Sequence, residues 1–487
     1  MIKGDRNVSG SGLVEQRNEG PQETSGCADG LTLRIIGWRN TIKCSKQFVG
    51  SVDEMNLHGL TLAAVLPTGP GPLSFGPAIG YGARSEEEEV VTETSLPMNF
   101  VPFDADHHYY EALDAFTRHL DPKYAHRTVQ WAEINGRMHH VVGGKVARAV
   151  RNPTFNPISK PGVLYEYLRG RDNGASAMAL LKDSEPIPAC YRDRDARLAQ
   201  LDVQGLEGIW LFPTLGVLYE ELLKNDPVAV QMVFRAFNRW LEEDWGFAYG
   251  NRIFAAPYVT LVDVDFAVAE LEWALGCGAR VLCMRPAAAF TASGPRSPAD
   301  PQFDPFWARV GEAGVTVVIH AGDSGYSAQG YAPDGFSADF SGGGMRPSVK
   351  TWHFERAAND FLATLIFDRL FERHPGVRVA SVENGSDFLP DLFRKLASVG
   401  RKSKGYFKQD PAETFRQHVW INPFWEDDVH EILSLMGSER VIFGSDWPHI
   451  EGLPTPIDYA DELTGLPSPT IRAVMRENAM ALTHEAA

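Results

Sequence analysis

The chain runs to 487 residues, 44% of them hydrophobic and 22% charged, which leaves room for one large domain with appendages or for two ordinary ones. A formal net charge of −17, with no cluster of lysine and arginine among aromatics, argues against nucleic acid as a partner. No apolar run approaches the roughly 18 residues of a membrane helix, and five cysteines without a C-x-x-C pair suit reduced thiols and a cytoplasmic setting.

Residues 1–97 carry no sustained periodicity, contain the Pro/Gly-rich stretch 66–72 and end in the acidic run 86–89, so they read as a poorly ordered N-terminal extension. They begin without a charged n-region leading into an apolar h-region, and no secretory signal is expected. Met98 stands just before the first convincing strand. Two readings stay open, a disordered tail and a mis-called start with translation beginning at Met98; peptides from 1–97 in the native protein would exclude the second.

From Met98 onward, short β-branched and apolar runs alternate with helical patterns. Eight such runs can be counted, at 100–106, 208–214, 253–261, 280–286, 316–322, 377–384, 418–424 and 440–447. Amphipathic segments lie between them, at 218–245, 265–275, 304–312, 355–373 and 387–396. The alternation predicts an α/β fold, a (β/α)8 TIM-type barrel over 98–487. A doubly wound sheet would alternate similarly, but it commonly has a Gly-rich turn after its first strand, where this chain reads Asp104-Ala105-Asp106-His107-His108. The first connection, about 109–207, is too long for a simple loop and is expected to fold as an insertion over the barrel mouth.

Polar residues cluster at the predicted strand ends. Asp106 and His108 are two apart on the first strand, so both can face one way while His107 faces another. His320 follows four β-formers, and Asp446 closes the last run in Phe443-Gly444-Ser445-Asp446-Trp447-Pro448-His449. The C-terminal ends of parallel barrel strands surround one rim, so these four side chains can converge as two imidazoles and two carboxylates, a set suited to one divalent metal. Each has a plainer reading, as a satisfied rim histidine or a helix N-cap, and Asp104 reads as an acceptor for loop backbone. His139 and His140 are expected at the surface or in a substrate cap.

The run 103–111, the block 318–322 and the motif 443–449 together resemble the amidohydrolase superfamily, and within it the branch containing aminocarboxymuconate-semialdehyde decarboxylase. The similarity of type covers about Met98 to Thr483. It implies a distorted (β/α)8 barrel, one divalent metal (zinc, with manganese as alternative), ligands Asp106, His108, His320 and Asp446, and a homodimer. Two positions depart from the branch. Asp106 replaces the first histidine of its His-x-His motif, which hardens the ligand set, and Glu383 stands where the decarboxylases place a catalytic histidine. No lysine lies at the end of the fourth strand to bridge a second metal.

The resemblance favours decarboxylation of a small carboxylated aromatic or cyclic substrate, with Asp446 or Glu383 moving a proton and Arg285 binding the substrate carboxylate. Hydrolysis of an amide, ester or lactone by activated water is the alternative, and a catalytically silent binding protein a second one. Trp447, Phe424 and Trp425 are expected as apolar walls, and His449 as a pocket residue.

Overall fold

The computed structural model describes residues 33–35, 98–150, 152–171, 174–326 and 353–484. The expectation for 1–97 lies, apart from residues 33–35, outside them. The described chain is mixed α/β, and its alternation follows the predicted beat. Strands β1 (Phe103–Tyr109), β2 (Gly208–Pro213) and β3 (Ile253–Ala255) form one parallel sheet. Strands β4 (Val281–Met284), β5 (Thr316–His320), β6 (Arg378–Val382) and β7 (Val419–Ile421) form a second. Parallel bridges Tyr258–Cys283, Ile421–Val441 and His107–Trp447 run between the sheets and the 440–447 segment.

That last segment is less regular than its apolar run suggests. Its backbone bonds are divided among three neighbours: Ile442 N donates to Ile421 O, Phe443 N to Val474 O, and Asp446 N to Asp106 O, while Ala105 N and His108 N donate to Phe443 O and Trp447 O. Shared this way, the bonds never form a continuous ladder. Strand β1 is irregular as well, with a register shift against β2 between Asp104 and His107. A shift of this kind re-aims the side chains that follow it.

Helices start where an aspartate can cap them. Asp193 caps α1 (Arg194–Gln204), Asp226 caps α2 (Pro227–Asp244), Asp263 caps α3 (Val264–Gly276) and Asp428 caps α4 (Val429–Met436), each accepting from the backbone N–H three residues on. Each cap contributes about 1 kcal/mol. Helix α2 buries Phe234, Phe237, Trp240 and Leu241 towards the strands. Tyr109 packs between Trp240 and Trp245 at ring separations of 5.5 and 5.7 Å. Because β1 alternates faces, fixing Tyr109 among the helices turns the neighbouring His108 the opposite way.

Within 109–207 the strands Val129–Ile134 and Arg137–Val142 make an antiparallel hairpin, with Leu33–Ile35 paired along its edge. His140, expected at the surface or in a substrate cap, is not at the surface. It is buried against Trp131, with Nδ1 2.6 Å from the Tyr219 hydroxyl, and burial pushes its pKa down to about 3. The ring helps seat the hairpin on the helical segment Gly216–Leu223.

Candidate metal centre

Strand β1 brings Asp106 and His108, the end of β5 brings His320, the residue after β6 brings Glu383, and the 440–447 segment brings Asp446. Donor atoms of Asp106, His108, His320 and Glu383 lie within 4.8 Å of one another, and those of His108, Glu383, Asp446 and His449 form an overlapping group. His108 Nε2 stands 3.3 Å from Asp106 Oδ1, 3.1 Å from Glu383 Oε2 and 3.2 Å from Asp446 Oδ1. His320 Nε2 is 3.5 Å from Asp106 Oδ1 and 3.2 Å from Glu383 Oε2.

These close approaches are not aligned hydrogen bonds. Asp106 Oδ1, His108 Nε2 and His320 Nε2 are buried without a hydrogen-bond partner, a cost of about 1–3 kcal/mol for each group if nothing else engages it. One imidazole N–H cannot serve three carboxylates, whereas a central cation can take a lone pair from each. The tautomer of His320 agrees, because Nδ1 lies 3.0 Å from Ala321 O, which it can only reach as a donor, leaving the Nε2 lone pair facing the cluster. The donor set therefore fits a divalent cation.

Backbone strain marks two of the carboxylates. Asp446 and Glu383 adopt φ of +59° and +57°, a region costly for side chains other than glycine and concentrated at functional sites. Gly444 is the neighbour that permits the approach. A Cβ there would lie 2.5 Å from Asp106 Cβ and 2.8 Å from Asn422 Oδ1. Gly444→Ala is expected to destabilise the protein by about 1–3 kcal/mol through overpacking and to weaken metal binding by displacing Asp106, as thermal melts with and without metal will show.

Electrostatics follow from burial. It alone would raise Asp106, but His108 and His320 outweigh it and hold that carboxyl well below its usual range. It would lower His108, yet Asp106, Asp446 and Glu383 raise it well above an ordinary histidine. Asp446 is pushed up to about 7 by burial and by Asp106, despite His108. His449 falls to about 4, through burial and the charge on His108.

His449 and Asp446 make a proton-sharing pair. Thr214 Oγ1 donates to Tyr109 O at 2.8 Å, so it accepts from His449 Nε2 at 3.0 Å. His449 Nδ1 then faces Asp446 Oδ1 at 2.6 Å, and a proton must lie between them. With Asp446 near 7 and His449 near 4, that proton resides mainly on the carboxyl in the metal-free state.

The cluster opens into a cavity of about 420 Å³. His108, His320, Glu383 and His449 line its base, and Val150, Phe155, Pro157 and Ile158 form part of an apolar wall. Arg285, Trp447, Phe424 and Trp425 are not among the lining residues. Arg285 is buried against Glu221 at 2.8 Å and Glu220 at 3.3 Å, and Nη1 also donates to Asp323 O. Trp447 packs against His107 and under the Arg197 guanidinium. Glu451, which no strand pattern singles out, does line the cavity, and burial together with Asp446 lifts it to about 7.

A stability consequence follows from these shifts. Asp446, Glu451, Glu111 and Glu355 are each raised to about 7, mainly by burial. Between about pH 6.5 and 8 the folded state thus binds more protons than the unfolded one, and stability falls as pH rises. Below that window His449 and His140, held neutral when folded, work in the opposite direction. Chelator-treated protein is expected to lose Tm from pH 6.5 to 8 in scanning calorimetry, and added divalent metal, by replacing protons, to flatten the slope.

The amidohydrolase family profile matches residues 212–482. The chain belongs to the amidohydrolase family. The amidohydrolase map2389c from Mycobacterium avium subsp. paratuberculosis K-10 is 40% identical, with a TM-score of 0.74 over 79% of this chain and 100% of that one. The IDCase of Metarhizium anisopliae, in apo form, is 14% identical with a TM-score of 0.51 over 80% of this amidohydrolase and 99% of its own chain. A dihydroxybenzoic acid decarboxylase from Polaromonas sp. JS666, with bound manganese and the inhibitor 2-nitroresorcinol, is 18% identical with a TM-score of 0.47 over 60% and 85% of the two chains. No curated protein matches in sequence, and among the described residues no helix is long and apolar enough to cross a membrane.

Proposed function

We propose that this amidohydrolase is a metal-dependent carbon–carbon lyase that decarboxylates a small carboxylated aromatic or cyclic substrate. The observation that carries the reading is the Asp446–His449 pair, a group holding a mobile proton beside a metal-type donor cluster at the base of a cavity of one-ring size. Decarboxylation needs such a proton: the carbon–carboxylate bond breaks to release CO2, and the carbon retains the electron pair and takes up H+. Asp106, His108, His320 and Asp446 hold the cation, which when bound supplies Lewis acidity towards a substrate oxygen. Asp446 Oδ1 and His449 Nδ1 exchange the proton, and Glu383, whose carboxylate faces both ligand imidazoles, is the second proton-transfer candidate. The apolar wall excludes water from the reacting carbon.

Two carboxylates and two imidazoles suit zinc or manganese. The bridges between the sheets support one distorted (β/α)8 barrel closed by 440–447, with 109–207 as an insertion over its mouth, from which Val150, Phe155 and Ile158 reach the cavity. A homodimer and a cytoplasmic setting remain part of the proposal.

Hydrolysis of an amide, ester or lactone is the second reading, and one observation favours it. Glu383 and Glu451 both line the cavity, while the cation of Arg285 is engaged by Glu220 and Glu221. With Lys182 as the one lysine on the wall among the described residues, two carboxyl side chains disfavour a substrate carboxylate and tolerate a neutral carbonyl. Metal analysis of the purified protein, followed by assays of hydroxybenzoates and lactones for CO2 release against acid release, decides between them. CO2 supports the lyase, acid without CO2 overturns it, and stoichiometric metal with neither product supports a silent binding protein.

A further inference from the structure

We infer that Asp104, His107 and Arg197 form a buried positioning relay that sets the geometry of the metal ligands. The inference rests on the metal-centre reading above and adds residues that touch neither cation nor substrate.

Asp104 Oδ1 accepts from two backbone N–H groups at once, Asp106 at 3.0 Å and Ser445 at 3.0 Å. One oxygen thereby ties the ligand-bearing end of β1 to the residue preceding Asp446. The other oxygen, Oδ2, lies 3.1 Å from His107 Nε2, without the alignment of a full hydrogen bond. On the far side of that ring, Arg197 Nη1 stands 3.4 Å from His107 Nδ1. An arginine only donates, so Nδ1 is the acceptor and the ring proton sits on Nε2, facing Asp104.

Arg197 closes the circuit. Its Nη2 donates to the carbonyl of His108 at 2.7 Å and its Nε to Cys190 O at 2.7 Å. The guanidinium is fully buried, under Trp447 at 4.9 Å and Trp245 at 5.5 Å from the ring centroids. The relay thus reaches the backbone of Asp106, His108 and Ser445 from one polar chain, and α1 supplies its outer end. The bonds to the His108 carbonyl and from the Asp106 and Ser445 amides are directional, and the contact of His107 Nε2 with Asp104 Oδ2 joins the two ends, so a change at Arg197 reaches through His107 to the carboxylate that spaces Asp106 from Asp446.

Metal ligands held by such outer hydrogen bonds typically lose 10–100-fold in affinity when the support is removed. Asp104→Asn keeps the shape and one acceptor oxygen but puts an amide NH2 against the ring proton, which reverses the polarity of the relay. Arg197→Met keeps the stem and removes all three head-group bonds, and Arg197→Lys restores a single donor group. The test measures metal affinity by chelator competition, the visible spectrum of the cobalt-loaded protein, and the Tm of the metal-free protein. Asp104→Asn and Arg197→Met are expected to bind metal about 10–100-fold more weakly, with an altered cobalt spectrum, a metal-free state that stays folded at a Tm lowered by the buried groups left unpaired, and partial recovery in Arg197→Lys. Wild-type affinity and spectrum in both folded variants overturn the relay; should one fail to fold, the other decides. His108→Ala is measured in parallel. If it too retains metal, the metal-centre reading has failed; if it loses metal while the relay variants do not, only the relay has.

Discussion

Replacing His320 with alanine is expected to abolish stoichiometric metal binding and to reduce turnover by at least about 10³-fold, while the protein stays folded. The ring contributes its Nε2 lone pair to the cluster, oriented by the bond from Nδ1 to Ala321 O. The ring also packs against Phe212 at 4.6 Å and edge-on to His108 at 5.0 Å, contacts that carry no structural hydrogen bond. Without the imidazole, Asp106 and Glu383 lose their shared neighbour and the donor set falls below what holds a divalent cation tightly. Several kcal/mol of charge stabilisation leave with the cation, and each 1.36 kcal/mol is tenfold in rate. Elemental analysis after dialysis, beside a circular dichroism melt, measures both halves. Stoichiometric metal in His320→Ala would show that the ligands have been misassigned.

The sequence made much of this legible because strand ends are local. A run such as Thr316-Val317-Val318-Ile319 announces a buried strand, and the polar residue that ends it must sit at a rim. Asp106, His108, His320 and Asp446 were reachable by that reasoning; His108 Nε2 lies 3.3 Å from Asp106 Oδ1 and 3.2 Å from Asp446 Oδ1, and His320 Nε2 3.5 Å from Asp106 Oδ1, while the fourth donor grouped with Asp106, His108 and His320 is Glu383 rather than Asp446. What escaped was set by long-range pairing. Arg285 looked like a free cation at a strand end, yet its charge is answered by Glu220 and Glu221 on the helical segment Gly216–Leu223. No spacing in the sequence encodes that encounter. His140 met a buried tyrosine for the same reason. The regularity of 440–447 was overestimated, since apolar composition reports burial but not how backbone bonds are shared among three neighbours. Glu451 lies two residues past the motif in a loop, where periodicity says nothing about direction.

Glu383→Gln separates proton transfer from ligation at the position where the sequence departs from the decarboxylase pattern. Glu383 Oε2 sits 3.1 Å from His108 Nε2 and 3.2 Å from His320 Nε2, its backbone is strained at φ +57°, and the residue lines the cavity. A strained, solvent-reaching carboxylate suits chemistry better than structure. Glutamine preserves volume and one acceptor but cannot carry the proton. With four other donors in place, Glu383→Gln is expected to retain metal and to lose about 10²–10⁴-fold in kcat, the usual contribution of a positioned acid or base, with a much smaller change in KM. Loss of metal would instead make Glu383 a ligand, and unchanged kcat with metal retained would remove it from proton transfer and leave that step to Asp446 and His449. The pH profile adds a second readout: a limb present in the wild type and absent in Glu383→Gln belongs to Glu383, whereas a limb that survives belongs to another group, for which the Asp446–His449 pair, 2.6 Å apart, is the candidate.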